Sequence, residues 1–149
     1  MAFFGFLCCG EFTVGDSSIT AAALKIGDIT FSKKHKCFVL DMKNSKADVF
    51  RTGFKIILTA NKSSTCPVTC MKEYLSVRMQ CGAKENDPLF INSKGVILSR
   101  EFLLESIRIL LNKLGKNQEL YSGHSFCIGA ATTAAKVGVP DHVIKTLGR

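Results

Sequence analysis

Apolar residues along the chain change their spacing twice. Met1 to Cys9 is almost uninterrupted hydrophobic sequence with Gly10 behind it, which reads as the tail of a buried helix whose beginning lies upstream. From Leu24 to Leu58 the spacing is two: Leu24 and Ile26; Ile29 and Phe31; Phe38, Leu40 and Met42; Phe54, Ile56 and Leu58. Alternation puts every second side chain on one face of a strand, so this stretch predicts three short antiparallel strands. The polar run Lys43 to Gly53, with Asn44, Ser45 and Asp48, connects the second and third as an exposed, lysine-rich hairpin.

Beyond Leu58 the spacing becomes helical. Pro67 suits a first helical turn, and Val68, Met71, Tyr74 and Leu75 follow on one face. Ser99 can cap a second helix that carries Phe102, Leu103, Ile107, Leu110, Leu111 and Leu114 as an apolar stripe, read as core, with Gly115 closing it. Two more short helices, Ser125 to Val137 and Pro140 to Leu147, are split by Gly138. The sum is an α+β fold: a mainly helical domain with a small three-stranded antiparallel sheet. No repeat or linker divides residues 1–149, which are expected to form a single domain, incomplete at both ends.

Composition narrows the class. In 149 residues, 46% hydrophobic and 21% charged positions suffice for one core and exclude a disordered or collagen-like chain. The apolar opening is far short of the ~20 residues of a membrane span and lacks the basic flank of a signal peptide, so the expectation is an intracellular, non-secreted protein with no membrane partner. Twenty Lys and Arg against twelve Asp and Glu give a net charge of +8 and a pI near 9.2. Lys33, Lys34, Lys36, Lys43, Lys46, Arg51, Lys55 and Lys62 crowd between Ser32 and Lys62 against only Asp41 and Asp48. Such a strip suits a polyanion, and double-stranded DNA is the expected partner; an ordinary basic surface is the alternative. Seven cysteines, at 8, 9, 37, 66, 70, 81 and 127, form no paired framework, as in a reducing compartment. With no CxxC and no paired histidines, no metal site and no cofactor are assigned.

One segment carries more than composition. Gly123-His124-Ser125-Phe126-Cys127-Ile128-Gly129-Ala130-Ala131-Thr132-Thr133-Ala134-Ala135, followed by Gly138-Val139-Pro140, Ile144 and Leu147-Gly148-Arg149, resembles the C-terminal catalytic motif of the tyrosine recombinases, the phage-integrase family. It is most similar to the copies carried by eukaryotic mobile elements. That family has HxxR, a small-residue helix, a Gly-Val-Pro type turn and a short helix ending Leu-Gly, then His or Trp and later the nucleophilic tyrosine. The order of helix, lysine-bearing three-stranded sheet and further helices agrees over nearly all of this chain.

Carried over position by position, the resemblance implies catalytic roles for His124, which matches the histidine of HxxR, and for Lys46 in the hairpin Lys43-Asn44-Ser45-Lys46-Ala47-Asp48, with Lys43 as fallback. Cys127 stands where HxxR has its arginine. Phe3-Phe4-Gly5-Phe6-Leu7-Cys8-Cys9-Gly10-Glu11 resembles the first-arginine motif, and there Cys8 stands at the arginine position. In the family, a tyrosine oxygen attacks a DNA phosphodiester while two arginine forks neutralise the charge building on its oxygens. A thiol offers neither charge nor fork. The resemblance therefore implies a DNA-binding remnant of a recombinase or integrase, unable to cleave: a pseudoenzyme decayed from a mobile-element copy, nuclear if eukaryotic. Phosphate contacts fall to Lys33, Lys34, Lys36, Lys43 and Arg51, and an intact relative would assemble as a homo-oligomer on DNA.

Other readings compete. Ala130 to Arg149 can be a helix-turn-helix reader pivoting on Gly138-Val139-Pro140 with no catalytic ancestry. A cysteine-based redox or metal protein and a non-functional relic also fit the composition. His124 can simply start a helix behind the Ser122-Gly123 turn, Lys46 can be a solvated turn lysine, and Cys8 and Cys127 can be small hydrophobes. Tyr74 is expected in the core, and Tyr121 beside the motif.

Overall fold

A computed structural model describes residues 1–15, 23–43 and 52–148. Alternation produces the sheet at its centre: β1 (Ile29–Phe31), β2 (Cys37–Met42) and β3 (Phe54–Thr59), antiparallel in the order β1-β2-β3. The register aligns Ile29 with Leu40 and Leu40 with Ile56, and likewise Phe31 with Phe38 and Phe38 with Leu58. These rows turn one apolar face inward. The other face carries Val39 beside Ile57, and Asp41 opposite Lys55. Leu24 and Ile26 point into the same core without extending a strand, because Ile26–Asp28 is a short 3-10 turn.

Helix α1 (Pro67–Gln80) covers the inner face. Val68 and Met71 join Leu7, Phe38, Leu40, Met42, Leu58 and Leu89 in one buried cluster, each large side chain contributing on the order of 1.5–3 kcal/mol by leaving water. Tyr74 belongs to this helix as expected, and it has a polar task as well. Its hydroxyl donates to the Leu89 carbonyl (2.9 Å), and buried Arg78, one turn on, donates to the carbonyls of Pro88 and Leu89 (both 3.0 Å). The pair ties α1 to the strand-like segment that precedes α2 (Arg100–Lys113). Helices α3 (Ser125–Lys136) and α4 (Asp141–Gly148) complete the described residues.

The helix boundaries follow their sequence signals. Ser99 caps α2, its hydroxyl accepting from the Phe102 amide at 3.1 Å. Gly115 (φ 64°) ends α2 and Gly138 (φ 83°) ends α3; at each end the next amide returns to the last turn, Lys116 to Leu111 and Val139 to Ala134.

Three expectations fail. The opening segment is no extended helix: a single helical turn closes at Phe6, which takes the left-handed conformation (φ 52°) that Gly10 was expected to supply further on. The Phe6 amide bonds to the Phe3 carbonyl and that of Leu7 to Ala2 (2.9 Å), a helix-ending pair of bonds. The chain then runs extended through Cys8 into a 3-10 turn at Cys9–Glu11, because Leu7 is drawn completely into the sheet core. The apolar stripe of α2 is the second. None of its residues is buried, and Leu110 and Leu114 are 59% and 71% exposed. Tyr121 is also exposed rather than packed.

Close packing joins the opening segment to α3. A Cβ placed at Gly123 would lie 2.5 Å from the sulfur of buried Cys9, closer than such atoms approach. Gly123→Ala should therefore destabilise the protein by about 1–3 kcal/mol in urea unfolding, and Cys9→Ala should relieve part of that loss in the double variant. Additive losses would show that the two residues do not meet.

Candidate functional site

The site is assembled by the opening segment. Leu7 anchors it in the sheet core, Phe3 lies against Gly129 on α3, and Val14 bridges to Ser99, with its amide on the Leu98 carbonyl (3.1 Å) and its carbonyl on the Arg100 amide (2.9 Å). Between these anchors Cys8 is extended (φ −71°, ψ 147°), its amide donating to a Glu11 carboxylate oxygen at 2.9 Å. This route brings Cys8 beside Cys127 in the first turn of α3, close enough for the two side chains to influence each other. Positions 8 and 127 are far apart in sequence, and the fold makes them neighbours.

Burial pushes the Cys8 thiol up from its ordinary value, and Cys127, Glu11 and Cys9 push it the same way. It is therefore an uncharged thiol at neutral pH. Both residues are partly exposed. The arrangement can meet a ligand with two thiols but offers it no positive charge, which a cysteine lacks in either protonation state.

His124 occupies the N-cap position of α3, one turn before Cys127, with its ring exposed and making no capping bond. Serines shape this turn instead: the Ser122 amide donates to the Ser125 hydroxyl (2.8 Å), and the His124 amide to the Ser122 hydroxyl (3.3 Å). The imidazole is left facing solvent on the same edge as Cys127.

The basic positions divide. Lys33, Lys34 and Lys36 are exposed in the β1–β2 turn, whereas Lys43 follows β2 at its other end, so a six-residue strand, about 20 Å, separates the two groups. Lys46 and Arg51 lie outside the described residues. Lys43 is already engaged: its Nζ is 2.6 Å from the buried carboxylate of Asp28, which also accepts from the Lys25 amide (2.8 Å). That hydrogen bond, more than any other influence, raises the Lys43 pKa above its ordinary 10.5. The base of the β2–β3 connection meets the opening segment elsewhere, in a cavity of about 590 Å³ lined by Phe4, Phe6, Thr52, Phe54, Ile56 and Leu147 among others.

Sequence reasoning missed Asp28, whose partner is fifteen residues away, and Cys66. Cys66 is the buried N-cap of α1, its sulfur accepting from the Asn61 amide at 3.4 Å. Hydrogen bonds from the side chain and backbone of Thr69 hold its thiol at about 7. The signal was present, since a small polarisable residue directly before Pro67 stands where helix caps stand. Among the described residues no three His, Cys, Asp or Glu side chains gather in a metal-binding group.

Lys43→Met should lower the urea midpoint by stranding the Asp28 carboxylate, and Asp28→Asn in the same chain should recover much of it. A lysine whose pKa is raised on folding contributes below its ordinary value, and that contribution is lost as pH climbs through the raised one. The gap between wild type and Lys43→Met should thus be full at pH 8 and shrink above pH 10.5. A gap independent of pH would remove the ion pair from the account.

The fold is similar to that of XerH site-specific recombinase bound to difH substrate in a pre-cleavage complex, with TM-score 0.68 and 21% identity over 98% of this chain and 36% of that one. XerH in a post-cleavage complex on palindromic difH gives 0.68 and 21%, covering 99% and 36%. XerA recombinase gives 0.61 and 21%, covering 93% and 45%. The chain therefore spans little more than a third of XerH and under half of XerA. No family model and no curated protein matches the sequence. With its three-stranded antiparallel sheet and four helices among the described residues, the chain has a tyrosine-recombinase-like fold.

Proposed function

We propose that residues 1–149 are a recombinase-like DNA-binding domain that holds duplex DNA without cleaving it. The observation that carries this reading is the meeting of Cys8 and Cys127 within a recombinase-like fold. At the two places where the resemblance calls for arginine, a phosphate would find cysteines, which carry no positive charge. Removing a single preorganised donor of this type typically lowers a rate about 100- to 1,000-fold, and here both are replaced. His124, and Lys46 in the β2–β3 connection, are then relics of a reaction this domain does not complete, consistent with a decayed mobile-element copy working in the nucleus of a eukaryotic host. Assembly into a homo-oligomer on DNA belongs to an intact relative.

Affinity in this reading is electrostatic. Lys33, Lys34 and Lys36 form the exposed cluster, with Lys46 and Arg51 as further phosphate ligands, while Lys43 contributes less because Asp28 holds it. A helix-turn-helix reading draws support from the packing of α3 and α4 across Gly138, with His142 and Lys145 exposed. The recombinase-like arrangement of nearly the whole chain favours the first reading.

Fluorescence anisotropy with a generic duplex at several salt concentrations tests it. Binding should weaken steeply with salt, and replacing Lys33, Lys34 and Lys36 together by Ala should flatten the log–log slope by about 0.9 for each phosphate that is no longer neutralised. No binding at low salt by a folded, monodisperse sample overturns the proposal. Loss of binding in His142→Ala with Lys145→Ala, and not in the lysine variant, would favour the helix-turn-helix reading. Decay from an active ancestor has its own check: Cys8→Arg with Cys127→Arg, in a chain extended by a tyrosine-bearing tail, should form covalent protein–DNA adducts, and their absence would argue against simple decay.

A further inference from the structure

Cys8 and Cys127 are a pair of free thiols with features that single them out from the other five. Their side chains lie close enough to influence each other, both residues are partly exposed, and they sit on segments held in register by three separate anchors: Leu7 in the sheet core, Cys9 against Gly123, and Phe3 against Gly129. Cys9, Cys37 and Cys66 are buried, and Cys70 and Cys81 lie exposed on or just past α1. We propose that Cys8 and Cys127 are a redox modification site, closing into an intramolecular disulfide that staples the opening segment onto α3.

The co-reactant is a low-molecular-weight disulfide such as oxidised glutathione. One cysteine thiolate attacks a sulfur of the oxidant, forming a mixed disulfide and expelling one small thiolate, which takes up a proton. The second cysteine thiolate then attacks the protein-bound sulfur, forming the Cys8–Cys127 bond and expelling the second small thiol. Two S–H bonds are lost, one S–S bond is made, and the oxidant accepts two electrons and two protons. The protonated state of Cys8 sets the speed of this exchange at neutral pH, while the proximity of the two sulfurs sets its product. The bond would close a loop over most of the chain, so the oxidised form should resist unfolding more than the reduced one.

Peptide mapping of the full chain after incubation with oxidised glutathione decides it. Trypsin, used without reduction, should release residues 1–25 joined to residues 117–136, with a mass lower by two hydrogens than the separate peptides. The joined species should vanish with dithiothreitol, be absent from Cys8→Ser and Cys127→Ser, and persist in Cys9→Ser. Fragmentation of the wild-type species assigns Cys8 against Cys9 even where a variant folds poorly. A thermal midpoint higher in the oxidised than in the reduced chain is the accompanying readout. Recovery of Cys8 and Cys127 only as glutathione adducts, a link that runs through Cys9, or the same mixture of pairings in native and urea-unfolded chains would each overturn the proposal.

Discussion

The docking of the opening segment governs the rest of the structure. Leu7 has no exposed surface and fills the core under the sheet, and two residues later Cys9 seats against Gly123 so closely that no larger residue fits there. These few residues join the sheet core to the turn that opens α3. Leu7 can only reach the core if the preceding turn closes at Phe6, and the closure is made by a phenylalanine in a conformation normally given to glycine. Packing in the core outweighs the backbone strain of that one residue.

The same docking decides the chemistry available. By fixing Cys8 next to Cys127 it joins two positions distant in sequence, and it fills both with groups that cannot carry positive charge. The other candidate residues are arranged around this edge unequally. His124 faces solvent one turn away on α3, Lys43 is neutralised by Asp28, and the lysines of the β1–β2 turn sit at the far end of the sheet.

Much of the fold was legible because local rules agreed with the final packing. The period of two over Phe38, Leu40 and Met42 and over Phe54, Ile56 and Leu58 placed β2 and β3, Pro67 and Ser99 opened helices, and Gly115 and Gly138 closed them. Where the reading failed, the decisive partner was remote. Nothing local distinguishes the start of a helix from a single turn when Leu7 is to be pulled into a sheet some thirty residues away, and an apolar stripe such as that of α2 implies a covering surface without saying whether these residues supply it. The site was legible only by motif: His124 and Cys127 share a helix start, but the neighbour of Cys127 lies at the other end of the chain, and Asp28 gives no sign in sequence that it will hold Lys43.

Amide hydrogen exchange tests the keystone role of the opening segment most directly. The amides of Leu7, Thr13, Val14 and Arg100 are bonded in or across that segment, and the account requires them to exchange only with global unfolding, as slowly as amides in the middle of β2. Exchange of Leu7 and Val14 orders of magnitude faster than β2, in a chain whose sheet remains protected, would show a segment that frays independently and would contradict the account.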